Sequence, residues 1–296
     1  MIDYQLLQAL AAVISEQGFE KASNKLFITQ SAISRRIKQL ESILGEPVLI
    51  RTQPPKLTTT GQRLLNHLQQ VLQLEVALGL NAIADNELSD EPLTVRLATN
   101  ADSLATWLPQ ALTIPDNKMH GKFRFELIVE DQSVSLNRMK AGEVMICISS
   151  SPEPVNGGLT SFLGFMRYQA VASPDFIKRN KIKSLNALAD LPCLIFGEND
   201  HLQHQFLNDI ACAQPKYFHL WPSSEGFKQA IIAGLGYGVL PTLQIEESLK
   251  SKTLIDLKQG YVLDIPLYWH YWHTESPQLK ALREYVLANA KKKLVQ

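Results

Sequence analysis

The chain has 296 residues, enough for two or three domains, and 45% apolar residues, enough to fill their cores. Its 29 basic side chains balance 29 acidic ones, which excludes a bulk charge that would by itself draw the protein to nucleic acid or to a membrane surface. Cys147, Cys193 and Cys212 sit in apolar contexts without metal-type spacing, and no apolar run nears the roughly 20 residues of a bilayer span. A disulfide scaffold, a zinc ribbon and a membrane protein are therefore set aside. Met1 to Tyr4 opens directly into an amphipathic helix, with no signal peptide, so a reducing, cytoplasmic setting is expected.

The charge is unevenly spread. Residues 1–66 carry eight basic and five acidic side chains, and the remainder carries 21 and 24. A basic head on an acidic body fits a DNA-reading module joined to something else.

The head comes first. Residues 3–15 predict a helix with Leu6, Leu7, Leu10, Val13 and Ile14 inward. Phe19, Ala22 and Leu26, then Ile33, Ile37, Leu40 and Leu44, keep helical spacing on either side of the short Phe27-Ile28-Thr29-Gln30 turn. Two short helices about a tight turn make a helix-turn-helix. The outer face of the second helix carries Gln30, Ser31, Ser34, Arg35 and Lys38, with Thr29 at its start. Arg pairs with guanine, Gln with adenine, and small serines permit close approach to a groove. An ordinary amphipathic helix with a solvated face would show the same spacing. The residues that follow favour the DNA reading. Gly45 can end the helix, Pro47 to Arg51 reads as a short strand, and Gln53-Pro54-Pro55-Lys56 as a bend. This is a wing, with Arg51, Pro55 and Lys56 beside phosphate.

Thr58 is a plausible N-cap for a long helix to about Ala84, with Leu64, Leu65, Leu68, Val71, Leu72, Leu74 and Leu78 along one stripe. Such a stripe asks for a second copy of the chain. The alternative is that the helix folds back on its own domain. Residues 85–92, acidic and ending in proline, read as a hinge.

Beyond it, strands and helices alternate: strand 93–99, helix 103–112, strand 123–130, helix 135–141, strand 144–149 and strand 159–165. The pattern then restarts, with strands at 168–172, 193–196, 217–221 and 238–240. Helices at 202–210, 226–233 and 242–249 lie among them, and strand 267–272 and helix 278–291 close the chain. Two α/β halves with parallel sheet are expected. Ligands of such folds sit at strand carboxyl ends. Candidate residues there are Thr99, Asn100, Ala101, Asp102, Ser103, Glu130, Asp131 and Ser149 in the first half. In the second they are Phe196, Glu198, Ser223, Ser224 and Glu225. Ser103, Asp131 and Ser224 are each explained equally well as helix caps. The excess of acid at these junctions suits a ligand with one carboxylate and one or two cations, hence a basic amino acid.

His201 and His204 stand three apart on a helix without a placed third ligand, so no metal is expected. No Ser-His-Asp or Cys-His arrangement has supporting context, so no catalysis and no cofactor are expected either. A solute-binding protein would carry a signal peptide.

ITQSAISRRIKQLESILGEPVLIRT and LTTTGQRLL resemble the N-terminal domain of LysR-type transcriptional regulators. NADSLATWLPQAL, VEDQ, SSEGF and LQIEESLKSKTLIDL are similar to the ArgP branch of that family, which responds to lysine and arginine; departures fall at 150–158 and 211–215. The resemblance implies a winged helix-turn-helix at 1–57 and a dimerising linker helix and hinge at 58–91, with Leu64, Leu68, Val71 and Leu72 in the seam. It also implies an effector domain at 92–296, built like a periplasmic-binding-protein clamshell. Its first subdomain would span 92–164 and 266–296, its second 165–265. The implied function is promoter binding set by L-lysine or L-arginine, as a homodimer or homotetramer, with RNA polymerase as a further partner. Within the same class, a different small carboxylate, such as an aromatic one, is the alternative effector. Ser103 and Thr99 would hold the ligand carboxylate, and Asp102, Glu130 and Asp131 its amino groups.

Overall fold

The computed structural model describes residues 3–77, 92–114, 123–130, 135–140 and 143–296. Two compact units divide the chain. One holds Met1–Glu91 with Arg138–Met145 and Thr274–Pro277, the other Pro92–Asn137, Ile146–His273 and Gln278–Gln296.

In the first unit, α1 (Tyr4–Ser15), α2 (Phe19–Lys25) and α3 (Gln30–Leu44) enclose one core. Leu6, Leu7, Leu10 and Val13 of α1 meet Ala22 of α2 and Ile33, Ile37 and Leu40 of α3 there. Each such buried aliphatic side chain contributes roughly 1.5–3 kcal/mol of transfer free energy. Asp3 caps α1 by accepting from the Gln5 N–H, and Thr29 Oγ1 caps α3 by accepting from the Ala32 N–H at 3.2 Å. Gly45, at φ 74°, ends α3 in the left-handed conformation that glycine tolerates. β1 (Leu49–Ile50) and β2 (Lys56–Leu57) pair antiparallel as the wing.

Thr58 Oγ1 accepts from the Gly61 N–H at 3.1 Å and starts α4 (Thr59–Ala77). A Cβ on Gly61 would lie 2.1 Å from the Val48 carbonyl oxygen, so the first turn of α4 can lie this close to the wing only with glycine there. Leu65 and Leu68 are buried in the head's own core and Leu64 packs against it. Val71 is half-buried and Leu72 is exposed. Leu78, the helix end near Ala84 and the hinge at 85–91 lie outside the described residues.

In the second unit, β3 (Leu93–Thr99) lies between β4 (Phe123–Val129) and β5 (Ile146–Ser149), all parallel. β11 (Leu263–Trp272) runs antiparallel to β5 on one side and to β6 (Gly158–Ala172) on the other. The far end of β6 carries β9 (Gly238–Pro241) and β10 (Ile255–Asp256). A parallel pair, β7 (Cys193–Ile195) and β8 (Phe218–Leu220), joins them through a bridge from Cys193 to Tyr237. The long strands β6 and β11 thus link two halves. The first half carries α5 (Ala101–Ala105), α6 (Leu108–Leu112), α7 (Ser135–Lys140) and α12 (Pro277–Lys293). The second carries α8 (Pro174–Arg179), α9 (Leu202–Asp209), α10 (Ser224–Ile232) and α11 (Thr242–Lys250). Val171, Leu194, Phe227, Ile231, Leu240 and Ile245 form the core of that second half.

Several sequence expectations are corrected. The sheet is mixed rather than parallel, because β11, β6, β9 and β10 pair antiparallel. Strands 159–165 and 168–172 are one strand, since nothing between them turns the chain. A register shift opposite Leu267/Tyr268 absorbs the irregularity, with Gly164 at φ 133°. The helix expected at 103–112 is two helices, because Pro109 has no N–H to continue the first. Asn100, not Ser103, caps the first of them, accepting from the Ser103 N–H at 3.2 Å. Ser223, not Ser224, caps α10. Helix α8, a 3-10 turn at Leu185–Asp190 and strand β10 were not anticipated.

Candidate functional site

The apolar spacing of α3 fixes what its other side presents. With Ile33, Ile37 and Leu40 buried, Gln30, Ser31, Arg35 and Lys38 are exposed and Ser34 is half-buried. Thr29 is held at the helix start, its Oγ1 2.9 Å from Ser31 Oγ. Arg36, one position on, turns away and donates to Gln5 Oε1. Gln30 and Ser34 share a groove of about 720 Å³ with Arg51, Pro54 and Pro55 of the wing. Arg51 stands 3.8 Å from Glu41 and is itself exposed, a loose pair of little strength. Lys56 is exposed on β2. Gln17 and Lys21 also line this groove. They precede the recognition helix in sequence, and no local pattern marks them.

The second unit holds a cleft of about 590 Å³. Of the residues anticipated there, Asn100, Ala101, Asp102, Glu130, Phe196, Glu198 and Ser224 line it. Thr99 and Ser103 do not. Both are fully buried, and Ser103 Oγ accepts from the indole of Trp107 at 3.1 Å. Ser149 is buried with its hydroxyl accepting from the Ser151 N–H. Ser223 is occupied as a cap. Glu225 faces Lys228, Gln229 and Gln244; burial works against its charge, but those hydrogen bonds together hold its carboxyl below the ordinary value. Asp131 lies outside the described residues.

Asn199 and Asp200, in the same strand-end loop that the sequence marks at Glu198, also line the cleft, whereas Ser150, Tyr168, Gln205 and Phe227 were not foreseen. Asp200 closes its own loop, accepting from the Phe196 N–H at 2.8 Å and the Leu202 N–H at 3.1 Å. Asp102 bridges the halves, its two oxygens accepting from the Tyr168 and Ser224 hydroxyls at 2.9 Å each. Among the described residues, no Lys or Arg lines the cleft, whereas Asp102, Glu130, Glu198 and Asp200 do. Its electrostatics therefore favour a cation.

His201 lines the cleft, and its ring centroid is 6.3 Å from that of His204. Among the described residues, no group of three or more His, Cys, Asp or Glu could hold a metal ion. All three cysteines are free and buried, and burial pushes the Cys147 and Cys193 thiols up to about 12, which leaves them unreactive. No described helix is long and apolar enough to cross a membrane.

Residues 4–62 match the family described as "Bacterial regulatory helix-turn-helix protein, lysR family", and residues 89–291 match the "LysR substrate binding domain". The chain belongs to the LysR family. This LysR-family chain is 45% identical over 298 residues to the HTH-type transcriptional regulator ArgP of Pseudomonas aeruginosa, covering 100% of the chain and 98% of that protein. The crystal structure of ArgP from Mycobacterium tuberculosis superposes with a TM-score of 0.78 at 32% identity, over 100% of this chain and 99% of that one. Full-length LysG from Corynebacterium glutamicum, with bound effector Arg, superposes at 0.70 and 31% identity over the whole of both chains. The LysR-family chain is thus a DNA-binding transcriptional regulator and not an enzyme.

Proposed function

We propose that this LysR-family regulator binds L-arginine or L-lysine in the cleft and, so liganded, controls genes for transport or synthesis of basic amino acids. The observation that carries the reading is the acid-only charge of the described cleft lining, with Asp102, Glu130, Glu198 and Asp200 and no Lys or Arg. A basic amino acid brings two cations and one carboxylate. The acids suit the cations, and Ser150, Asn199 and Gln205 offer side-chain donors for the carboxylate. Asp102 and Asp200 accept hydrogen bonds within the chain, and Glu130 and Glu198 add two further carboxylates to the lining that faces the ligand's cations. The similar LysG protein, with its bound effector Arg, supports the same ligand class.

On this reading the head docks Gln30, Ser34 and Arg35 on bases and Arg51 and Lys56 on phosphates. The protein works in the cytoplasm as a homodimer or tetramer paired through α4, and it meets RNA polymerase at the promoter. Ligand can shift DNA affinity only by binding two shapes of the effector domain unequally.

The test is calorimetry on the full-length protein with arginine, lysine, leucine and benzoate, repeated on Glu130→Gln. Arginine or lysine should bind at least about tenfold more tightly than leucine, since a neutral side chain leaves a cleft carboxylate without its partner. Equal affinity for leucine and arginine, or unchanged affinity in Glu130→Gln, would place the effector site elsewhere.

A further inference from the structure

Asp102 occupies an unusual position among the cleft acids. It sits in α5 of the first half, while its two hydroxyl donors come from elsewhere. Ser224 Oγ, at the start of α10 in the second half, donates to Oδ1 at 2.9 Å. The Tyr168 hydroxyl, on the crossing strand β6, donates to Oδ2 at 2.9 Å. Both oxygens of one carboxylate are thus engaged by partners 66 and 122 residues away in sequence. The donors are themselves held. The Tyr168 ring is buried, 1% exposed, so its hydroxyl oxygen is held in place. The Ser224 backbone carbonyl accepts from Gln244 Nε2 at 3.2 Å, which ties the start of α10 to α11. An ionised carboxylate receiving two hydroxyls makes a charge-assisted pair of bonds, stronger than bonds between neutral groups.

We infer that Asp102 is a clasp that holds the two halves of the effector domain closed around the cleft, and that it governs ligand affinity through closure rather than as the ligand's counter-charge. Asp102, Tyr168 and Ser224 all line the same cleft while the clasp is made, so the clasped form is one that retains space for a ligand. Clasp and ligand therefore coexist. A ligand that binds the clasped form has its apparent affinity scaled by the fraction of molecules already clasped. Weakening the clasp lowers that fraction, and every cleft ligand loses the same factor. Removing a counter-charge acts differently, because it changes the ratio between ligands of unlike charge. The consequence for affinity rests on the arginine or lysine reading above; the clasp itself does not.

Two measurements on the full-length protein test this, and one uses no ligand. Without ligand, amide hydrogen exchange is followed in Ser224→Ala and Tyr168→Phe. Ser224→Ala should speed exchange in α5 as well as in α10, because the bond it removes joins them. Acceleration confined to α10, or none, would overturn the clasp whatever the effector proves to be. With arginine and with neutral leucine, Ser224→Ala and Tyr168→Phe should each raise both dissociation constants by the same factor, about two- to tenfold, leaving their ratio unchanged. Asp102→Asn made on top of both substitutions should add less than it does alone, since its hydroxyl donors are already gone. A changed arginine-to-leucine ratio in Ser224→Ala, or full additivity of Asp102→Asn, would make these residues direct ligand contacts and reject the clasp. If neither arginine nor lysine binds, the effector reading fails, and the exchange result still decides the clasp.

Discussion

The indole Nε1 of Trp107 donates to Ser103 Oγ at 3.1 Å, and both residues are buried. Trp107 belongs to the turn that breaks the first helical segment after β3 into α5 and α6, so this bond ties that turn back to α5. Ser103→Ala leaves a buried indole N–H without an acceptor, which costs about 1–3 kcal/mol. The expected outcome is a fall in the effector domain's thermal midpoint of about 2–4 °C per kcal/mol lost. Because Ser103 does not reach the cleft, ligand affinity measured well below that midpoint should change little. Scanning calorimetry and ligand titration on the same variant check both halves of the statement.

The head predicts a separable pair of effects. Arg35 stands exposed on the reading face of α3, and Lys56 stands exposed on the wing. Arg35→Ala should cost on the order of 1–3 kcal/mol at the preferred operator and relax specificity at one base pair. Lys56→Ala should weaken all sequences alike and reduce the salt slope by about one. Binding isotherms for operator and scrambled DNA at several salt concentrations separate the two. An Arg35→Ala protein with unchanged sequence preference would show that α3 is not docked through this face.

The head was legible because its signals are local. Thr29, Gly45 and Thr58 each act within a few residues of their position, and the period of Ile33, Ile37 and Leu40 marks which side of α3 is buried. The cleft was only partly legible. The end of β3 and the acid at Glu130 follow from strand order, but the partners of Asp102 come from 66 and 122 residues away, and no local pattern announces such a pairing. Ser103 misled because a serine near a helix start has the composition of a cap. Asn100, three positions earlier, accepts from Ser103's own N–H and takes that role. The mixed sheet was hidden for a related reason. β6 and β11 read locally as ordinary buried strands, and only their pairing across 97 residues, as at Arg167 and Asp264, reveals that they run antiparallel.

His270 makes a prediction about acid. It is buried on β11, with Nε2 3.0 Å from the Ser151 carbonyl, and burial lowers its pKa to about 4. The unfolded chain would take up that proton near pH 6.5, where the folded one would not. Stability should therefore be full above about pH 6.5 and fall as pH drops from there towards 4, by a sum on the order of 3 kcal/mol, with no further loss from this group below that. Replacement by phenylalanine should remove this component, so the urea midpoint of the unsubstituted protein should fall relative to that of the variant as pH drops from 7 to 4. Parallel curves across that interval would show that His270 is charged in the fold.

The last prediction concerns assembly, where the structure separates two leucines that share one helical stripe. Leu68 is 3% exposed and belongs to the head's own core, whereas Leu72, one turn later, is 37% exposed. A glutamate at each position should fail differently. Leu68→Glu would bury a carboxylate in the aliphatic core that holds Leu6, Leu10 and Ile37, among side chains that cannot neutralise it. The cost is several kcal/mol, enough to unfold a head of this size. Leu72→Glu would leave the head folded and place its charge on the exposed face of α4 through which pairing is proposed. Sedimentation at micromolar concentration, with circular dichroism alongside, tells them apart. Leu72→Glu should be folded and dissociated, and Leu68→Glu should lose helical signal. If Leu72→Glu stayed assembled and kept operator affinity, the pairing of α4 would not run through Leu72, and Val71, half-buried beside it, would be the next position to charge.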